Sequence, residues 1–518
     1  MTRSPGSATL ASLAEQFGPD SVQTDAETLD FYARDVFAQG EQPLAVIRPS
    51  DAEALCRMVR SLAAAGIAML PRGGGLSYTD GYLSDRPGAV VIDTARLDRI
   101  IEINETDRYV IAECGVTWEQ LYQALAERGL RTPYFGPLSG LHATVGGALS
   151  QGSVFLGSGQ HGSVGDSVLG IDIVTAEGQV LQTGAAAAGN TPPFFRYFGP
   201  DLTGLFVGDA GSLGIKLRAS LRLIPRPDNA AYSSWQFDDA ESMLTAMADI
   251  ARSGVAAECF GFDPVLAGMR LKRASLSEDA GTLRQVIREQ GLLAGLKVAG
   301  RGRSFLDPNR YSLHATLETG CGLSRLLARR ADASARAGRG RRVSASIPRA
   351  MRALPFVPPN TMLGPEGQRW VPVHGILPHS QAPQAFSRVR ELLASEHEML
   401  AANQIETGCL FATVGAQATL IEPVFYWPDA HTVYHRRMVD PDYRQRVGEP
   451  AANPEATTAM SSLKARVAET LRAEGATHFQ IGRFYSYRAG RNAAALAAFD
   501  AIKHHLDPDS VFNPGVLP

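Results

Sequence analysis

Short apolar runs, each ended by glycine or proline, set the pattern of the first half of the chain. Leu44-Ala45-Val46-Ile47 and Ile67-Ala68-Met69-Leu70 read as buried strands, the first closed by Pro49. Between them, Asp51 to Ala65 carries Leu55, Met58, Val59 and Leu62 at helical spacing, with Ser50 as the expected cap and Gly66 as the stop. Ala89 to Asp93 is a further strand, and 99–103 with 109–113 alternates like an antiparallel pair. Thr117 to Arg128 predicts a helix capped by Thr117 and ended by Gly129. Val168 to Ala176 turns at Glu177-Gly178 into Val180-Leu181-Gln182, a hairpin, and 215–224 is an alternating strand. Strands interleaved with helices, some antiparallel, predict an α+β first domain.

Pro225-Arg226-Pro227 breaks this pattern and marks the expected domain boundary. Beyond it, 232–237 and 312–318 read as strands, 240–252 and 323–336 as helices, and the basic run 336–342 as a solvated loop. The apolar strand 420–427 is followed closely by Asp429, His431, Tyr434, His435 and Arg436, either a pocket wall or a surface loop with an aromatic anchor. A helix over 457–474 leads to Thr477 through Arg488, and a last helix spans 493–506. The expected division is 1–227, 228–477 and 478–518.

Candidate chemistry sits in the glycines. Pro71-Arg72-Gly73-Gly74-Gly75-Leu76-Ser77 follows a strand, and three residues without Cβ free the backbone for φ > 0 and expose a run of N–H donors. Alone, a triple glycine is more often a plain turn. Further segments of the same kind follow: Leu141-His142-Ala143-Thr144-Val145-Gly146-Gly147, then Gly152, then 157–165 with Gly162, Gly165 and Asp166, then 205–215 ending in Gly214-Ile215. Gly146-Gly147 is either a surface for a cofactor chain or a tight strand-to-helix turn. His142 is read as a structural histidine rather than a catalyst.

In this order and spacing, the segments closely resemble the FAD-binding domain of the vanillyl-alcohol oxidase / p-cresol methylhydroxylase (PCMH) superfamily. The resemblance covers roughly 40–227 and returns at the C-terminus. It implies a PCMH-type FAD-binding domain of two α/β subdomains, an α+β cap domain, and FAD held by the residues named above, with the Ile215 backbone at the adenine and Asn513 near the cofactor. The segment 477–488 resembles one in which a Tyr and an Arg face the substrate side of the flavin. That assigns Tyr487 and Arg488, with Tyr485, to catalysis, where a phenol and a fixed guanidinium stabilise developing negative charge. If the flavin is covalent, His431 or His435 is the expected ligand. Two departures narrow the chemistry: Leu138 stands where the vanillyl-alcohol oxidase branch has an acid, and the metal-serving histidine segment of the D-2-hydroxyacid dehydrogenase branch is absent.

Composition changes this picture little. The 518 residues are 45% hydrophobic and 20% charged with a net charge of −3, which gives no reason to expect nucleic acid as a partner. No apolar run approaches the ~20 residues of a membrane span, and the first residues lack a secretory pattern, so a cytoplasmic location is expected. Five scattered cysteines predict neither disulfides nor a structural metal. No GxGxxG and no P-loop motif occurs. The function expected is FAD-dependent hydride removal from an alcohol or benzylic carbon of a small organic molecule, with phenolic compounds among the candidates. The alternatives are a 2-hydroxyacid dehydrogenase and a non-redox flavoenzyme of the alkyl-glycerone-phosphate synthase type. The electron acceptor is O2 or a separate carrier, and a homodimer stays open.

Overall fold

The protein is described by a computed structural model over residues 5–227, 229–273, 307–319 and 323–518, with 284, 287 and 288 between them. Cys321 lies outside these residues. The chain divides into two compact units. The first comprises Met1–Ser153, Val164–Ile224 and Phe479–Pro518, and the second Val154–Ser163 with Pro225–His478. The short segment Val154–Ser163 therefore belongs with the second unit, although the expected boundaries put it in the first domain. Within the second unit the Gly157 N–H donates to Glu258 Oε1 at 2.9 Å, and the Gly415 N–H donates to the Ser158 carbonyl at 2.8 Å.

The first unit is built on two sheets. The smaller orders Val22–Gln23, Ala45–Ile47, Val90–Asp93 and Met69–Arg72, and the last three run parallel. The helix Ala52–Ala64 links two of them, as parallel strands require. Its cap is Asp51, not Ser50: the Asp51 carboxylate accepts the Ala54 N–H at 2.9 Å, and a carboxylate also suits the positive end of the helix dipole. Leu55, Met58, Val59 and Leu62 are buried against Ala45, Ile47, Met69, Val90 and Ile92, and Val511 and Phe512 from the chain's end complete this core. The second sheet is antiparallel and orders Ile100–Asn104, Tyr109–Glu113, Ile215–Arg222, Val168–Val174 and Val180–Gln182. Thr117 and Gln120 form a reciprocal capping box on the helix Trp118–Ala126.

The second unit is an eight-stranded sheet. Arg341–Val343, Asn229–Phe237, Tyr311–Thr319, Ala256–Phe262, Glu406–Val414, Ala418–Trp427 and Arg369–Pro372 succeed one another, and Gly375–Pro378 also pairs with Ala418–Trp427. The run 336–342 is thus not simply a loop. Its end is an edge strand, with Arg342 paired to Asp332 at 2.6 Å. Register divides the sheet into unlike faces. Trp235, Leu313, Gly261 and Phe411 share one face, which packs on helices: Trp235 Nε1 donates to Asp332 on the helix Ser324–Ala337, and the Phe411 ring meets Phe386 of Ala382–Ser395 edge-on at 4.9 Å. Ser234, His314, Phe260 and Ala412 share the other.

Candidate functional site

The first unit contains a cleft with about 870 Å3 of space free of atoms, the open solvent at its mouth included. Its floor is the end of the strand Met69–Arg72 and the loop that follows, so Pro71, Arg72, Gly73, Gly74, Gly75, Leu76 and Ser77 all line it. Gly75 has φ 71, a left-handed conformation that favours glycine, and its carbonyl accepts the Tyr82 hydroxyl at 2.5 Å.

The loop needs its glycines for a reason that local sequence does not contain. A Cβ on Gly73 would stand 2.2 Å from Thr144 Oγ1, and one on Gly74 would stand 1.9 Å from the His142 carbonyl oxygen. The absent side chains let this loop close onto the segment 142–144. Space for a ligand's approach is a consequence of that packing.

Thr144 caps the helix Val145–Gln151, its Oγ1 accepting the Gly147 N–H at 3.1 Å. Gly146 and Gly147 are therefore the first turn of a helix rather than a turn before one. A Cβ on Gly146 would stand 2.6 Å from Cys114 Cβ, so the helix start presses directly onto the end of the strand Tyr109–Glu113. Burial pushes the Cys114 thiol up to about 12, which keeps it protonated and non-nucleophilic. Thr144, Gly146, Gly147, Cys114, Gln151, Ala210, Gly211, Ile215, Lys216 and Gln480 form the rest of the cleft's functional wall.

The donor set has a clear sign. Two buried cations line the cleft, Arg72 and Lys216, and among the described residues no carboxylate does. Lys216 Nζ donates to Asp209 Oδ1, behind the wall, at 2.5 Å. Arg72 Nη1, Gln151 Oε1 and Gln480 Oε1 are buried without a hydrogen-bond partner among the described residues. A glycine loop at the cleft, a free cationic donor and free amide oxygens suit a molecule that is anionic at one part and carries N–H or O–H donors at another. FAD, with its diphosphate, ribityl hydroxyls and flavin N–H, has that chemistry.

Of the cofactor residues expected from the sequence, the stretch 71–77, Thr144, Gly146, Gly147 and Ile215 line the cleft. The remaining ones do not. His142 contributes its carbonyl to loop packing, and Leu141 and Val145 flank the Thr144 cap. Gly152 is the left-handed C-cap of the same helix, with φ 64. The Gly165 carbonyl accepts from Arg196, and Asp166 lies in the same short 3-10 turn. Gly214, at φ 138, fits beside Ile173, and Gly162 belongs to the second unit. Asn513 acts at one remove: its amide donates to the Gly81 and Ala210 carbonyls at 2.7 and 2.6 Å, tying together two segments that line the cleft.

The expected catalytic residues do not line the cleft. Tyr485 is buried with its ring edge-on to Phe484 at 4.8 Å. Tyr487 packs on Phe499 and carries the Arg491 guanidinium 4.0 Å above its ring. Arg488 is exposed and pairs with Asp500 of the C-terminal helix at 2.5 Å, which holds its guanidinium above its usual range. In the second unit, His431 Nε2 meets the Gly367 carbonyl at 2.8 Å and His435 Nδ1 meets Thr432 Oγ1 at 2.9 Å. Both imidazoles are buried, and Asp429 accepts from Arg369 and Thr457. The segment after Trp427 is an internal hydrogen-bonded network, neither a solvated loop nor an open wall. Among the described residues, no helix is long and apolar enough to cross a membrane, and Cys56, Cys114, Cys259 and Cys409 are unpaired.

Comparison with known proteins finds a family match over part of this unit. Residues 43–184 match the family described as an FAD binding domain. Glycolate oxidase subunit GlcD of Bacillus subtilis is 27% identical over 239 residues, 46% of this chain and 49% of that protein. D-2-hydroxyglutarate dehydrogenase of Stutzerimonas stutzeri is 27% identical over 230 residues, 44% of this chain and 48% of its own. The chain thus spans about half the length of the curated relatives it matches. Solved structures share the fold across 99% of this chain. They are an alkyldihydroxyacetonephosphate synthase (TM-score 0.69, 14% identity, 85% of that chain), 4-ethylphenol oxidase of Gulosibacter chungangensis (0.68, 18%, 97%) and p-cresol methylhydroxylase with substrate bound (0.69, 16%, 97%). Residues 43–184 are thus matched as an FAD-binding domain whose cofactor is FAD, within a chain that shares the fold of p-cresol methylhydroxylase and 4-ethylphenol oxidase along its length.

Proposed function

We propose that the protein is an FAD-linked oxidoreductase that removes a hydride from a carbon of a small organic substrate, with FAD held in the cleft of the first unit. The observation that carries this reading is the cleft's lining: a triple-glycine loop, two buried cations and, among the described residues, no carboxylate, with the loop and Arg72 inside the residues matched as an FAD-binding domain. Bound FAD supplies a two-electron acceptor at its flavin ring. The chain's own part is to hold it. The loop 73–77 with the Arg72 and Lys216 charges would hold the diphosphate, and the free oxygens of Gln151 and Gln480 would accept from N–H or O–H groups of the cofactor. Cys114, kept as a thiol, adds no competing nucleophile.

For the substrate, the leading reading is an alcohol or benzylic carbon of a phenolic molecule, supported by the full-length likeness to 4-ethylphenol oxidase and p-cresol methylhydroxylase. A second reading, a 2-hydroxyacid, is favoured by the relatives named glycolate oxidase and D-2-hydroxyglutarate dehydrogenase. A panel of 4-alkylphenols, benzylic alcohols and D-2-hydroxyacids, mixed anaerobically with the yellow holoprotein, tests both. The class that bleaches the flavin absorbance is the substrate class. Bleaching by none, with rapid reduction by dithionite, would favour the non-redox chemistry of the alkyldihydroxyacetonephosphate synthase type. Admitting O2 to the reduced protein then separates an oxidase from an enzyme that needs a carrier.

A further inference from the structure

Arg72 is buried to 3% exposure at the end of its strand, and its guanidinium lies 4.1 Å from the centre of the Tyr32 ring, 4.6 Å from Phe31 and 5.0 Å from Tyr82. In register, its cross-strand neighbour is Asp93, the acid expected to neutralise it. Asp93 is otherwise engaged: its carboxylate accepts the Tyr32 hydroxyl at 2.5 Å and pairs with Arg48 at 3.0 Å. Arg72 forms no ion pair among the described residues, and its Nη1 has no hydrogen-bond partner. Three aromatic faces attract a cation but do not carry a counter-charge. A buried guanidinium without an anion is a destabilising feature, and a fold keeps one only where something compensates it.

We infer that Arg72 is a charge held in reserve for the cofactor's diphosphate: it destabilises the apoprotein and is neutralised when the dianion binds, so that FAD completes the fold of the first unit as well as occupying it. The inference rests on the FAD reading above. It differs from ordinary ligand contact by its sign. Removing Arg72 should weaken cofactor binding while leaving the empty protein as stable as before, or more so.

The test uses full-length apoprotein, freed of flavin, as wild type and as Arg72→Met, which keeps an adaptable side chain among the aromatic rings. Thermal midpoints are read with and without sodium pyrophosphate, against sodium chloride at equal ionic strength, and the Kd for FAD is read by fluorescence titration. The expected result is a wild-type midpoint raised by several degrees by pyrophosphate, and an Arg72→Met midpoint that is not lower than wild type and does not respond. The Kd for FAD should rise at least ~10-fold in the variant. A variant that melts several degrees below wild type, or that keeps its FAD affinity, overturns the inference and makes Arg72 a packing residue. If Arg72→Met does not fold, Arg72→Lys decides: it retains the charge and should still be stabilised by pyrophosphate, and no response there overturns the inference equally. A wild type that binds no FAD at all removes the functional reading itself, a separate outcome.

Discussion

The cleft of the first unit and the sheet of the second each hold an arginine, and they treat its charge in opposite ways. In the second, on the polar face of the eight-stranded sheet, Arg352 is bound by both Glu258 and Glu318. On the same face His314 sits between Ser234 Oγ and Ser312 Oγ at 2.8 and 3.1 Å, and burial pushes its imidazole down to about 3, so it stays neutral. In the first, the cleft leaves Arg72 unpaired and the amide oxygens of Gln151 and Gln480 free. Burial alone does not separate them, since Arg72 and Glu258 are each 3% exposed. What separates them is the arginine's counter-charge: Arg352 has two carboxylates, and Arg72 has none among the described residues. A network whose members satisfy one another has a structural role, and a set of buried groups left open around a cleft is waiting for a molecule.

The largest expected effect breaks the open region. Gly74→Val should abolish FAD retention and destabilise the protein by ~3 kcal/mol or more, because its Cβ would stand 1.9 Å from the His142 carbonyl and the two loops would have to part. Flavin content after purification and a urea melt read the two effects. A variant that stays yellow with a normal melt would show that the loops do not need their close approach.

An effect confined to stability, with no loss of cofactor, breaks the closed region. Arg352→Met strands two buried carboxylates and should cost about 3–5 kcal/mol of stability, while the Kd for FAD of the folded fraction stays unchanged. Replacing Glu258 and Glu318 by Gln in the same chain should recover much of that loss. A selective loss of FAD affinity in Arg352→Met would erase the distinction between the regions.

The smallest effect is expected at the surface. Arg488→Ala removes an exposed pair with Asp500 and should change stability by no more than ~1 kcal/mol, with full FAD content. Flavin reduction by substrate should be close to that of wild type. A slowing of about 10²-fold, the size typical of losing one transition-state donor, would return Arg488 to the catalytic role that the sequence resemblance gives it.

The cleft's loops are legible in the sequence because they are local. Three adjacent glycines, a Thr cap ahead of Gly146-Gly147, and Ile215 opening a strand all announce themselves within a few residues. Lys216, Gln151 and Gln480 line the same cleft and give no such signal, since their neighbours come from distant parts of the chain. Gln480 illustrates the point: its backbone N–H donates to the carbonyl of Gln151, a residue far away along the chain, at 2.7 Å. Arg488 fails in the opposite direction. Its place beside Tyr487 carries a resemblance, but adjacency along a chain does not say which way a side chain turns, and Asp500 on the next helix claims it.

By itself, the sequence determined the elements and the cofactor. Apolar periodicity, caps and glycines act over one or two turns, so strands, helices and phosphate-type loops can be read where they stand. Only the tertiary structure decided which charges are matched. Whether Arg72 meets Asp93 depends on Arg48 and Tyr32 reaching that carboxylate first, and whether Arg352 is neutralised depends on two strands brought into register. Electrostatic pairing acts through space over a few ångströms, and the chain order does not record those distances.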